Sequence, residues 1–103
     1  MNTTTYLELR LSAQRALLFN IITCVRFIFI EKRELKIILS VYTDRNLSGS
    51  EKDLYYEVLG EILGDFTDLD FEGSMTLIEV TEKEVLQLNN PGVLIYARYE
   101  TQA

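Results

Sequence analysis

"DLDFEGSMTLIE", residues 68–79, decides the fold. Asp68, Asp70, Glu72, Gly73 and Glu79 stand at positions 1, 3, 5, 6 and 12 of this window, close to the spacing of a calcium-binding helix–loop–helix. On that reading a second helix begins near Glu79. The other reading is an acidic turn that runs into a strand. The second half of the window favours the strand: Met75, Leu77 and Glu79 alternate with Thr76, Ile78 and Val80, and the stretch is rich in β-formers. Position 5 carries Glu72 where Asp or Asn is usual, Leu69 and Phe71 suit a solvated metal loop badly, and no second loop exists to pair with the first. The expectation is therefore a strand over this stretch, no metal and no cofactor.

Upstream lies "SGSEKDLYYEVLGEILGDF". Ser48 followed by Glu51 makes a capping box, and Glu51 and Asp53 in the first turns suit the helix dipole. The pattern predicts a helix from Ser48 to about Asp65. Leu54, Val58, Ile62 and Phe66 form its core stripe, with Tyr55 and Leu59 beside them, while Glu57, Gly60, Glu61 and Gly64 turn away. The i, i+4 glycines invite close approach of another backbone, either within the chain or from a partner.

Further upstream, "TCVRFIFIE" and "ELKIILSVYTD" read as two strands joined by the charged hairpin connection "EKRE". Val25, Phe27 and Phe29 alternate with Arg26, Ile28 and Ile30. Both faces are largely apolar, so helices must cover at least one of them. "TYLELRLSAQRALLFNI" satisfies strand alternation at its start but helical spacing over its length, through Tyr6, Leu9, Ala13, Ala16 and Leu17 on one stripe and Leu7, Leu11 and Leu18 on another. It is read as a helix from about Thr4 to Asn20. Downstream, "TEKEVLQLNNPG" is a connection with room for one helical turn, and "VLIYARYE" is the last strand, Val93 to Glu100. The order helix-strand-strand-helix-strand-strand gives one α+β domain over residues 1–103, with a mostly antiparallel sheet packed against helices.

Composition narrows the function. The chain has no histidine, which removes the commonest general base and most transition-metal sites. No glycine-rich phosphate loop occurs, and the carboxylates Asp65, Asp68, Asp70 and Glu72 have no nucleophilic companion nearby in sequence. The expectation is a protein that is not an enzyme. The single cysteine, Cys24, sits in an apolar stretch and reads as packing in a reducing compartment. The apolar run Ala16 to Ile30 is too short to span a membrane and is broken by Asn20 and Arg26, so a cytoplasmic protein is expected.

Charge is distributed unevenly. Residues 1–50 hold seven Lys/Arg and four Asp/Glu, whereas residues 51–84 hold eleven Asp/Glu and two Lys. Such a surface repels phosphate backbones, which argues against nucleic acid as a partner. It attracts basic proteins and speeds encounter with them.

"AQRALLFNI", "VRFIFIEKRELKIILSVYTD", "SGSEKDLYYEVLGEILGDF" and "LIYARYE" together resemble a group of small bacterial α+β proteins, some of which are immunity proteins of contact-dependent growth inhibition and related toxin systems. The likeness runs from Tyr6 to Glu100. It implies a binding module without chemistry of its own. Its partner would be the toxic C-terminal domain of a cognate effector, often a nuclease with a basic substrate surface. The acidic middle of the chain then becomes the candidate interface: Tyr56, Glu57, Glu61, Asp65, Asp68, Asp70 and Glu72. The alternative is a non-enzymatic structural protein that self-associates through its sheet and its glycine-bearing helix.

Overall fold

The computed structural model describes residues 4–100. Helix α1 spans Tyr6–Leu17, strands β1 and β2 span Val25–Arg33 and Lys36–Thr43, helix α2 spans Gly49–Gly64, and strands β3 and β4 span Met75–Val80 and Val93–Ala97. A 3-10 turn, Val85–Gln87, interrupts the connection from β3 to β4. The sheet order is β3-β2-β1-β4. β1 pairs antiparallel with β2 and with β4, so the sheet is mostly antiparallel. β3 lies parallel to β2. A parallel neighbour needs a crossover, and α2 supplies it.

Both long helices begin as local chemistry dictates. Thr5 caps α1 and exchanges hydrogen bonds with Glu8, and Ser48 does the same for α2 with Glu51. Arg45 adds a two-pronged contact to Glu51 at 2.9 Å on each arm. That contact and the Ser48 amide hold the Glu51 carboxyl down at about 2. α2 buries Tyr55, Val58, Leu59, Ile62 and Leu63, with Leu54 and Phe66 half-buried against the same core. The buried face is thus rotated slightly from the expected stripe, toward Tyr55 and Leu63.

α1 is shorter than expected. It stops at Leu17 because Leu18 turns extended and Phe19 adopts a left-handed conformation, φ +67°. The Asn20 side-chain amide then donates back to the Ala16 carbonyl at 2.9 Å.

The main core lies between the helices and one face of the sheet. Leu9, Ala13 and Leu17 of α1 and the buried face of α2 pack on Ile28, Ile30, Ile37, Leu39 and Val41. Val25 joins them rather than Phe27 and Phe29, against the simple alternation. The β1–β2 register shifts between Val25 and Phe27, and a bulge of this kind reverses the face on which side chains emerge. Phe27, Phe29 and Tyr42 form a second cluster on the opposite face, covered by Val85 and Leu88. There Phe29 and Tyr42 meet edge to face, with ring centres 5.8 Å apart. Cys24 is buried within the main core, and desolvation pushes its thiol up.

The acidic turn runs into β3, not into a helix. Asp68 points back to the residue before the α1 cap, accepting from the Thr4 amide at 3.0 Å and from the Thr4 hydroxyl. Glu79 stands on β3 opposite Tyr42. Positions 1 and 12 of the calcium-like window therefore serve different parts of the fold. Gly73 has a turn to make, at φ +83°, and a β-carbon there would strike the Lys36 side chain at 2.7 Å. The Ser74 hydroxyl closes the turn, donating to the Asp70 carbonyl at 2.6 Å and accepting from the Ile37 amide at 3.0 Å.

β4 ends at Ala97, three residues short of the expected Glu100, because the chain there turns to ion pairs. The buried Arg26 guanidinium takes Glu100 with two bonds of 2.7 Å, and donates to the carbonyls of Thr81 and Lys83. Arg98 bridges Asp44 and Glu100. The Arg26 contact, reinforced by Arg98, holds the Glu100 carboxyl down at about 2.

Candidate partner interface

α1 and α2 run alongside one another, tied at one end by Asp65. Its carboxylate accepts from the Ser12 hydroxyl at 2.6 Å and pairs with Arg15. These contacts, Ser12 first, pull the Asp65 carboxyl below its ordinary range. Asp68 is drawn down in the same way by Thr4. Two of the seven candidate residues are thus engaged in fastening α1 to the end of α2.

The others are differently placed. Tyr56, Glu57 and Glu61 stand exposed on the outer side of α2. Asp70 and Glu72 lie exposed in the turn before β3, lining a shallow surface with Lys36 and Phe71. The structure therefore separates the seven into a helix group, a tie group and a turn group.

The outer side of α2 has a feature that the run of acidic residues obscures. Asp53, Glu57, Glu61 and Asp65 recur at every fourth position, and all four are exposed. This is a column of like charge on one face of a helix. Each such neighbour pair opposes helix formation by roughly 0.2–0.5 kcal/mol. The last turn carries no basic residue, so Glu61 also faces the negative end of the helix dipole without compensation from α2 itself. Asp65 alone is neutralised, by Arg15 of the other helix. Asp53 belongs to the column and was legible from its spacing.

Gly60 and Gly64 line the same side. A β-carbon at either would meet nothing within 4 Å, so neither glycine serves packing within the chain. Gly64 instead opens a groove of about 540 Å³ between the two helices, which Arg15, Ala16, Glu61 and Asp65 also line.

Several apolar side chains outside the candidate set are exposed. Leu7, Leu11 and Leu18 follow the second stripe of α1 and remain uncovered. Met75 and Leu77 of β3, with Ile38, floor a cleft of about 260 Å³ on the sheet, bordered by Glu31, Glu79 and Asn90. Phe19 is 98% exposed. Periodicity marks the leucine stripe, but no sequence signal marks Phe19 as an outward residue.

No helix among the described residues is long and apolar enough to cross a membrane. No curated protein matches the chain. The family described as MafI2 immunity protein matches residues 6–100, and the chain belongs to it.

Proposed function

We propose that this immunity protein binds the toxic domain of its cognate effector in the cytoplasm and neutralises it by covering a basic substrate-binding surface. A contact-delivered nuclease fits that description. The chain acts by binding, without a reaction of its own. Family membership supports the immunity role. The acidic column on α2 is the observation that carries the mode of binding: Asp53, Glu57 and Glu61 are exposed and enter no ion pair among the described residues. A helix selected for stability alone would interleave lysines there. A helix that must meet a basic surface keeps the column, since opposed charge speeds encounter and fixes orientation.

On this reading Tyr56, Glu57 and Glu61 form the centre of attraction, and Asp70 and Glu72 extend it. Asp65 and Asp68 add to the field while holding α1 in place. The test measures association with a catalytically inactivated toxin domain encoded by the adjacent reading frame. Replacing Glu57 and Glu61 together with Gln should slow association by about tenfold at low salt and flatten its salt dependence. Unchanged association, with wild-type binding intact, would reduce the acidic column to a solvated surface. Self-association of the wild type, without toxin binding, would favour the scaffold reading.

A further inference from the structure

Phe19 has a backbone conformation that costs free energy and a side chain that recovers none of it within the chain. Its φ of +67° is the left-handed region, which glycine enters freely and a bulky residue rarely does. Strain of this kind persists only where the surrounding structure enforces it. Here the ring is 98% exposed.

The segment around it is held firmly. The Asn20 amide donates to the Leu17 carbonyl at 2.8 Å, and the Asn20 side chain returns to Ala16 at 2.9 Å. On the other side the Tyr55 hydroxyl, from α2, donates to the Asn20 carbonyl at 2.9 Å and accepts from the Ile22 amide at 3.1 Å. Tyr55 itself is wholly buried. The loop thus presents Phe19 from a fixed backbone, so little is lost in ordering it on contact.

Its position is also informative. Ala16, one helical turn earlier, lines the α1–α2 groove with Glu61 and Gly64, and Asn20, the next residue, is bonded to α2. Phe19 therefore belongs to a loop fastened to the helix that carries the acidic column. An aromatic anchor next to a charged rim is the usual composition of an energetic centre in a protein interface.

We infer that Phe19 is the anchor of the toxin interface, inserting into an apolar pocket on the cognate toxin domain whose rim carries the lysines and arginines that meet Glu57 and Glu61. The inference rests on the immunity reading above. The occupant is chosen by charge: a second copy of this chain would bring its own acidic column against the first.

Two substitutions separate the anchor from its strain. Phe19→Ala removes the ring and keeps a side chain in the left-handed region. Phe19→Gly removes both. In denaturant melts Phe19→Gly should raise the folding equilibrium constant by about threefold to tenfold, the relief of strain being partly offset by the added freedom of the unfolded chain. Phe19→Ala should leave it near the wild-type value. Against the inactivated toxin domain from the adjacent reading frame, both variants should bind at least tenfold more weakly, mainly through faster dissociation. Wild-type-like binding by Phe19→Ala overturns the anchor, including where Phe19→Gly binds weakly, because the loop's backbone and not the ring would then matter. Sedimentation of the same variants tests the other occupant: a wild-type dimer lost in both variants, with toxin binding unchanged, assigns the ring to self-association instead. Failure of the wild type to bind the toxin domain at all overturns the immunity reading as well, and is distinguished from failure of the anchor alone by that single control.

Discussion

The Tyr55 hydroxyl offers the sharpest test of how the two helices are joined. Tyr55→Phe keeps the ring, which is 0% exposed, and so leaves the packing of α2 almost intact. It removes one donor, to the Asn20 carbonyl, and one acceptor, for the Ile22 amide. Each neutral hydrogen bond contributes about 0.5–1.5 kcal/mol net, and a polar group left unpaired away from water costs about 1–3 kcal/mol. Asn20 and Ile22 are half-exposed, so water reaches part of the site and the lower ends of these ranges apply. The expected loss is about 2 kcal/mol. For a domain of this size that lowers the melting temperature by roughly 8–16 °C. Urea melts give the free energy, and hydrogen exchange at the Ile22 amide gives the local consequence, a faster exchange than the global loss alone produces. A loss below about 0.5 kcal/mol, with Ile22 exchanging as in the wild type, would refute the claim that this hydroxyl fixes the loop that carries Phe19.

Two further outcomes are expected. Ile62→Ala, at a wholly buried site in the main core, should cost about 2–5 kcal/mol in the same melts, whereas Glu57→Ala should stay within about 0.5 kcal/mol; equal effects would mean the buried face of α2 is misassigned. Glu100, held at about 2 by Arg26 and Arg98 against an ordinary value near 4.5, binds its proton more weakly in the folded chain than in the unfolded one. Its contribution is therefore complete above pH 4.5 and is lost as the pH falls toward 2, so Glu100→Gln should be less stable at pH 7 and show a flatter acid limb, and parallel limbs in the two proteins would refute the assignment.

What the sequence disclosed was local. The Ser48–Glu51 capping box places the start of α2 and alternation after Ser74 places β3, whereas the charged "EKRE" marks the hairpin only approximately: Glu31–Arg33 are paired in β1 and the turn falls at Glu34–Leu35. Each signal lies within a few residues of the feature it sets. What stayed hidden was set by distant partners. Asp65 and Asp68 look like free surface carboxylates until Ser12, Arg15 and Thr4 are brought to them from fifty or more residues away. The premature end of β4 depends on Arg26, and the parallel placement of β3 depends on the crossover of α2. The truncation of α1 had a nearer cause but no propensity signal, since nothing in "ALLFNI" favours a phenylalanine in the left-handed region. The outer residues of α2 were legible because a helix converts spacing directly into a face.

Two departures from local preference fall on α2 and on the loop that Tyr55 of α2 fastens. The acidic column opposes its own helix by roughly 0.2–0.5 kcal/mol for each neighbouring pair, and a left-handed phenylalanine costs about 1–2 kcal/mol. Domains keep only about 5–15 kcal/mol in hand, so the combined cost is a sizeable share of it. Elsewhere the chain satisfies its groups with care: Arg26 makes four hydrogen bonds, both helices carry reciprocal caps, and no buried side-chain polar atom among the described residues lacks a partner. Glu34 and Asn89 also enter the left-handed region, each in a connection between elements, but Phe19 alone of the three is bulky and apolar, and a departure of that kind is the pattern of a site kept for a purpose other than folding. On the proposed reading the column would provide reach, because opposed charge acts before contact, and Phe19 would provide hold, because an apolar anchor acts only after it. An immunity protein needs both, since the toxin must be met quickly and then kept.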